Sequence, residues 1–103
     1  MAATPESRVK ARVKAILSEY GAWYFMPVSN GMGRHGIPDI LACLNGRFIA
    51  VECKAGKGKT TALQDRELAH IEAAGGVALV VTDDPATQDE LRRNLEMIRR
   101  EEE

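Results

Sequence analysis

The stretch "GIPDILACLNGRFIAVECK" (residues 36–54) decides the fold. Two apolar runs, 37–44 and 47–54, flank Asn45-Gly46, a pair that favours a two-residue type I′ turn between antiparallel strands. With that turn as the loop, Leu44 pairs with Arg47, and counting outward sets Asp39 opposite Glu52. Opposed side chains share a face, with Cβ atoms roughly 4.5–5.5 Å apart. Lys54, two residues beyond Glu52, points the same way.

Two opposed carboxylates repel, by about 4 kcal/mol at 4 Å and an effective dielectric near 20. Ile40, Leu41, Ile49, Ala50 and Val51 make both faces of the hairpin apolar, so its strands are expected to be covered on both sides. A pair of carboxylates there needs a compensating cation. Lys54 supplies part of that charge, and a divalent metal would supply more; hard oxygen ligands suit Mg²⁺ or Mn²⁺. The alternative is a solvated Asp and Glu at the strand ends, paired with Lys54.

The remaining elements follow outward. Thr4-Pro5 caps and starts a helix carrying Val9, Val13, Ile16, Leu17 and Tyr20, closed by Gly21. "AWYFMPV" (22–28) reads as a strand and "SNGMGRHG" (29–36) as a glycine-rich loop. A second helix runs from about Thr61 to Ala74, before Gly75-Gly76. "VALVV" (77–81) is a strand, and Asp84-Pro85 opens a last helix with Leu91, Leu95 and Ile98 on one face. The order α-β-β-β-α-β-α predicts an α/β fold, a mixed sheet flanked by helices, in one domain over residues 1–103.

Composition restricts the function classes. The 103 residues are 45% hydrophobic and 28% charged, ordinary for a globular chain. No run approaches the ~18 apolar residues of a membrane span, and the start lacks a signal-peptide layout. The expectation is a cytoplasmic protein with no membrane partner. Cys43 and Cys53 fit neither a disulfide framework nor a zinc site, and are expected to be buried thiols. The net charge of −1 hides a split: residues 1–66 carry ten Lys/Arg and five Asp/Glu, residues 67–103 four and ten. That asymmetry permits a polyanion-binding face.

"IAVECKAGKGKTT" (49–61) imitates a nucleotide-binding loop. That motif needs Gly, four residues, then Gly-Lys-Ser/Thr. Counting back from Gly58-Lys59-Thr60 puts Cys53 where the first Gly must stand, so no nucleotide cofactor is expected. Lys57 and Lys59, on a loop loosened by Gly56 and Gly58, suit phosphates of a polymer instead. Gln64 fits a capping box begun at Thr61, or a side chain aimed at the carboxylates. Glu6 lies on the apolar side of the first helix, three residues before Val9; the helix dipole alone would also favour an acid there.

These residues resemble the PD-(D/E)-x-K nuclease signature: Pro38-Asp39, thirteen residues on to Glu52, then Cys53 as x, and Lys54. Within that superfamily the chain is similar to the VRR-NUC group, particularly small stand-alone members of phage genomes. Glu6, "GRHGIPD", "VECK" and "LQDRELAHIEAAGG" carry the likeness, over residues 5–82. The resemblance implies a restriction-endonuclease-like core and a metal-dependent DNA nuclease. It implies that Asp39, Glu52, the Cys53 backbone carbonyl and, directly or through water, Glu6 hold Mg²⁺ or Mn²⁺. Lys54 would position or activate the attacking water, and Gln64 would orient these groups. Arg34, His35, Lys57 and Lys59 are the candidate DNA contacts. His70 is expected to be structural, and Tyr20, Trp23, Tyr24 and Phe25 core or interface. Stand-alone relatives resemble homodimeric junction-resolving enzymes, so branched DNA and a homodimer are implied; the aromatic strand and the C-terminal amphipathic helix are candidate interfaces. A DNA-binding or recruitment module without cleavage, and a nuclease with little structural preference, are the alternatives.

Overall fold

The computed structural model describes residues 4–28 and 33–101. The elements are α1 (Pro5–Glu19), β1 (Trp23–Phe25), β2 (Ile40–Leu44), β3 (Arg47–Cys53), α2 (Ala62–Ala73), β4 (Val77–Val81) and α3 (Pro85–Arg100), in the expected order. The first strand is shorter than the apolar run 22–28, and residues 29–32 of the glycine-rich loop lie outside the described residues.

The hairpin has the expected register: Leu44 pairs with Arg47 and Ile40 with Val51. Asn45 and Gly46 have φ of 51° and 77°, the left-handed values of a type I′ turn. The Asn45 amide also donates to the Ile98 and Arg99 carbonyls, each at 3.2 Å, so the turn satisfies the open end of α3. The sheet runs β1-β2-β3-β4, antiparallel except for β3–β4. A parallel pair cannot close through a tight turn, and α2 makes the crossover.

The two faces of the sheet differ. Ile40, Ala42 and Leu44 of β2, with Ile49, Val51 and Cys53 of β3, face α1 and α3 and form the core with Val9, Val13, Ile16, Leu17, Leu91, Leu95 and Ile98. The apolar stripe of α3 is thus covered by its own sheet: Leu91 and Leu95 have no exposed surface. The opposite face carries α2, which packs on β4. Over β1 and β2 this face is open, with Trp23, Phe25 and Phe48 exposed and Trp23 packed on Phe25 at 5.5 Å between ring centroids. Cys43 lies there too and is exposed, while Cys53 is buried. The expectation of two buried thiols fails at Cys43, because alternate strand residues face opposite sides and only one side is fully covered. Among the described residues no helix is long and apolar enough to cross a membrane.

Candidate active site

Glu52 stands on β3 between buried neighbours and is itself 2% exposed. Asp39 lies one residue beyond the last ladder pair of β2. Its Oδ2 accepts the Cys53 backbone N–H at 2.8 Å, which closes the strand end and holds the two acids side by side. Burial, with Asp39 next to it, pushes the Glu52 carboxyl up to about 7. Burial and the carboxylates of Asp39, Glu52 and Glu6 push the Cys53 thiol up to about 12, so its side chain is an inert space-filler between Glu52 and Lys54.

Two groups compensate Glu52, both on the same oxygen. Lys54 Nζ is 3.2 Å from Oε2, and Gln64 Nε2 donates to Oε2 at 2.9 Å. The other oxygen, Oε1, is buried with no hydrogen-bond partner among the described residues. A buried oxygen without a partner costs about 1–3 kcal/mol, more if charged. This atom fits a ligand position for a hard cation. Lys10 Nζ stands 3.7 Å from Asp39 Oδ1. Glu52 Oε1 thus accepts from neither Lys54 nor Gln64, and the acid pair suits a divalent ion completed by water and a backbone carbonyl.

Gln64 fulfils both of its sequence readings. Thr61 caps α2, the Gln64 carbonyl accepts the Thr61 N–H at 2.9 Å, and the other end of the amide reaches Glu52. The capping box fixes the side chain that orients the acid.

Glu6 is placed differently. Among the described residues no three His, Cys, Asp or Glu side chains form a group that could hold a metal. The Glu6 carboxylate lies 3.6 Å from Lys10 Nζ, and the same ammonium reaches Asp39. The indirect form of its expected role, supporting the site from a distance, is the one this geometry fits. Lys10 was missed by the sequence reading; its signal is the i,i+4 spacing from Glu6 and its place beside Val9.

The loop before Asp39 rests on α2. Gly36 has φ of 82°, and a Cβ there would lie 2.6 Å from the Leu63 carbonyl oxygen, so only glycine fits. Arg34 and His35 are exposed and, with Asp39, line a cavity of about 260 Å³. Arg34 is also bound to Glu67, a buried acid of α2 that the sequence reading did not single out. Lys57 and Lys59 are exposed on the loop after Lys54 and form no ion pair among the described residues. His70 is exposed on α2, away from the acids, beside Phe48 and Ile71.

Known proteins share this fold. A solved VRR_NUC domain superposes with a TM-score of 0.74 at 27% identity, covering 86% of this chain and 96% of that one. The Hjc Holliday junction resolvase of Archaeoglobus fulgidus has a TM-score of 0.57 at 21% identity over 74% of this chain and 65% of its own, a likeness of fold. A candidate nuclease, p44, of Acyrthosiphon pisum secondary endosymbiont phage 1 is 48% identical over 50 residues; the chain spans about half, 54%, of that relative's length. The family of archaeal Holliday junction resolvases (Hjc) matches residues 7–101. With the acid pair, the lysine and the capping glutamine in one site, the chain belongs to this Hjc family of nucleases, in a small phage-like form related to the VRR_NUC domain.

Proposed function

We propose that the protein is a Mg²⁺- or Mn²⁺-dependent DNA endonuclease that nicks branched DNA such as a four-way junction. The observation that carries the metal is the Asp39–Glu52 pair, with Glu52 Oε1 buried and bound to no donor among the described residues. Branched DNA is favoured by the family match and by the Hjc resolvase that shares the fold.

Asp39 and Glu52 would hold the ion, with the Cys53 carbonyl as a further ligand. A bound divalent ion supplies charge neutralisation at the phosphate and a lowered pKa for water. Lys54 places an ammonium 3.2 Å from Glu52, where it can orient the attacking water and offset charge on the phosphate. Gln64 keeps the Glu52 carboxylate in one rotamer, since its amide is anchored at both ends. Glu6 and Lys10 support Asp39 from α1. Arg34 and His35, which line the cavity beside Asp39, and Lys57 and Lys59, exposed on the loop after Lys54, would contact the DNA backbone.

A homodimer follows from the same reading, since symmetric cuts across a junction need two sites. The exposed Trp23, Phe25 and Phe48 on the open sheet face support a self-association surface there. Sedimentation of wild type and Phe48→Glu checks it: the expected result is a dimer that the variant splits, and a monomeric wild type at micromolar concentration removes it.

The function is tested by comparing cleavage of four-way junction, flap, nicked and linear duplex in Mg²⁺, Mn²⁺ and EDTA. Junction nicking that vanishes in EDTA is expected. Equal activity in EDTA refutes the metal, and equal rates on all substrates refute the preference for branches.

A further inference from the structure

Glu67 is an acid in an unexpected place. It lies on α2 one turn after Gln64 and is 4% exposed. Buried carboxylates require partners. Arg34 Nε is 2.9 Å from Oε1 and 3.0 Å from Oε2, while Arg66 Nε stands off at 3.8 Å. Arg34 is not buried with its partner; its side chain is 62% exposed. Its two terminal nitrogens make no hydrogen bond among the described residues. The guanidinium is gripped at Nε, and Arg34 borders both the cavity lined by His35 and Asp39 and the shallower groove lined by Glu67 and His70.

The first turns of α2 make three contacts with the segments that carry the candidate site residues. Leu63 receives Gly36, Gln64 holds Glu52, and Glu67 holds Arg34. A pin between loop and helix could be made of apolar side chains at lower desolvation cost. A carboxylate on Nε does something else: it fixes the plane of the guanidinium and leaves the terminal donors in the fork geometry that matches a phosphate.

We propose that Glu67 is a positioning residue that holds Arg34 ready to bind a phosphate of the DNA backbone next to the scissile bond. This rests on the nuclease reading above. It assigns Glu67, which does not touch substrate, a role in substrate binding through Arg34.

The test is junction affinity and nicking kinetics for Arg34→Ala, Glu67→Ala, the near-isosteric Glu67→Gln, and the Arg34→Ala/Glu67→Ala double variant. Binding is measured in Ca²⁺ across a salt series, so that it is read separately from cleavage. The expected result for Glu67→Ala is a KM raised roughly tenfold, the worth of one charge-assisted hydrogen bond, with kcat little changed. Its salt slope should fall by about one phosphate contact, as for Arg34→Ala. The double variant should be no worse than Arg34→Ala, because Glu67 acts through Arg34. Glu67→Gln should show the same changes in smaller measure, and it stands in if Glu67→Ala does not fold. Lowered thermal stability with wild-type KM and salt slope would overturn the proposal, as would additive losses in the double variant. If wild type binds junctions but cuts none, the nuclease reading falls while the salt slopes still decide Glu67. If it binds no DNA, both fall.

Discussion

The two ends of the β2–β3 hairpin are built from the same short segment and are opposite in character. At the turn, Asn45 and Gly46 take the left-handed conformations their residue types tolerate and the Asn45 amide donates to two carbonyls of α3, while Arg47 Nε beside them is buried without a partner among the described residues, its guanidinium held at Nη1 by Glu101. At the open end, two acids are held together, one buried oxygen has no partner, and a carboxyl is pushed up to about 7. One end spends its residues on stability. The other holds two acids side by side, at a cost that Lys54 and Gln64 offset in part. Local conflict of this kind within a consistent fold marks a working site.

The largest effect should come from the open end. Asp39→Ala, Glu52→Ala or Lys54→Ala should each reduce junction nicking on the order of 10³-fold, as removal of a preorganised charged group does elsewhere. Each protein should still melt cooperatively. Wild-type rates in any of the three would show that the chemistry sits outside this pair of strands.

The next effect is on stability, and its sign is the reverse of the usual carboxylate case. The folded-state carboxyl of Glu52 is raised from 4.5 to about 7. Between these values the folded protein binds more protons than the unfolded chain, so stability falls as pH rises. The contribution is fully present below about pH 4.5 and lost as pH climbs through 7, an amount of roughly 3 kcal/mol. In chelator at pH 8, Glu52→Gln should therefore melt higher than wild type while failing to cut DNA. The gap should close near pH 4. A variant that melts lower at pH 8 would mean that the acid is stabilised without metal.

The turn should respond in the opposite sense. Asn45→Ala removes two hydrogen bonds to α3 and leaves a non-glycine residue at φ 51°. A loss of about 1–2 kcal/mol is expected in urea unfolding, with nicking unchanged at temperatures where the protein stays folded. A defect in nicking larger than the defect in folding would show that the two ends are coupled.

How far the sequence reveals these features depends on the range of the contact involved. Asn45-Gly46 carries the register in two adjacent letters, and register alone brings Asp39 beside Glu52. Gln64 was ambiguous between cap and site, and the structure shows why: its amide has two ends and uses both. Lys10 and Glu67 were not legible. Their partners, Asp39 and Arg34, lie on other elements, and side-chain spacing within a helix does not say which loop will dock there. Glu67 did leave a trace, as a charged residue at the i+3 position of the face bearing Gln64, Leu68 and Ile71. Cys43 is exposed where a buried thiol is expected from the sequence. Alternation and amphipathicity define a face but do not state what covers it.

The central claim is that the open end of the hairpin is a metal centre, and calorimetric titration of Mn²⁺ into wild type and Glu52→Gln tests it most directly. At pH 7 the account predicts saturable binding at a site containing Asp39 and Glu52 in wild type. It also predicts proton release, seen as a dependence of the heat on buffer ionisation enthalpy, because Glu52 must shed its proton to bind. Glu52→Gln should bind far more weakly and release none. Equal affinity and equal proton release in the two proteins would contradict it.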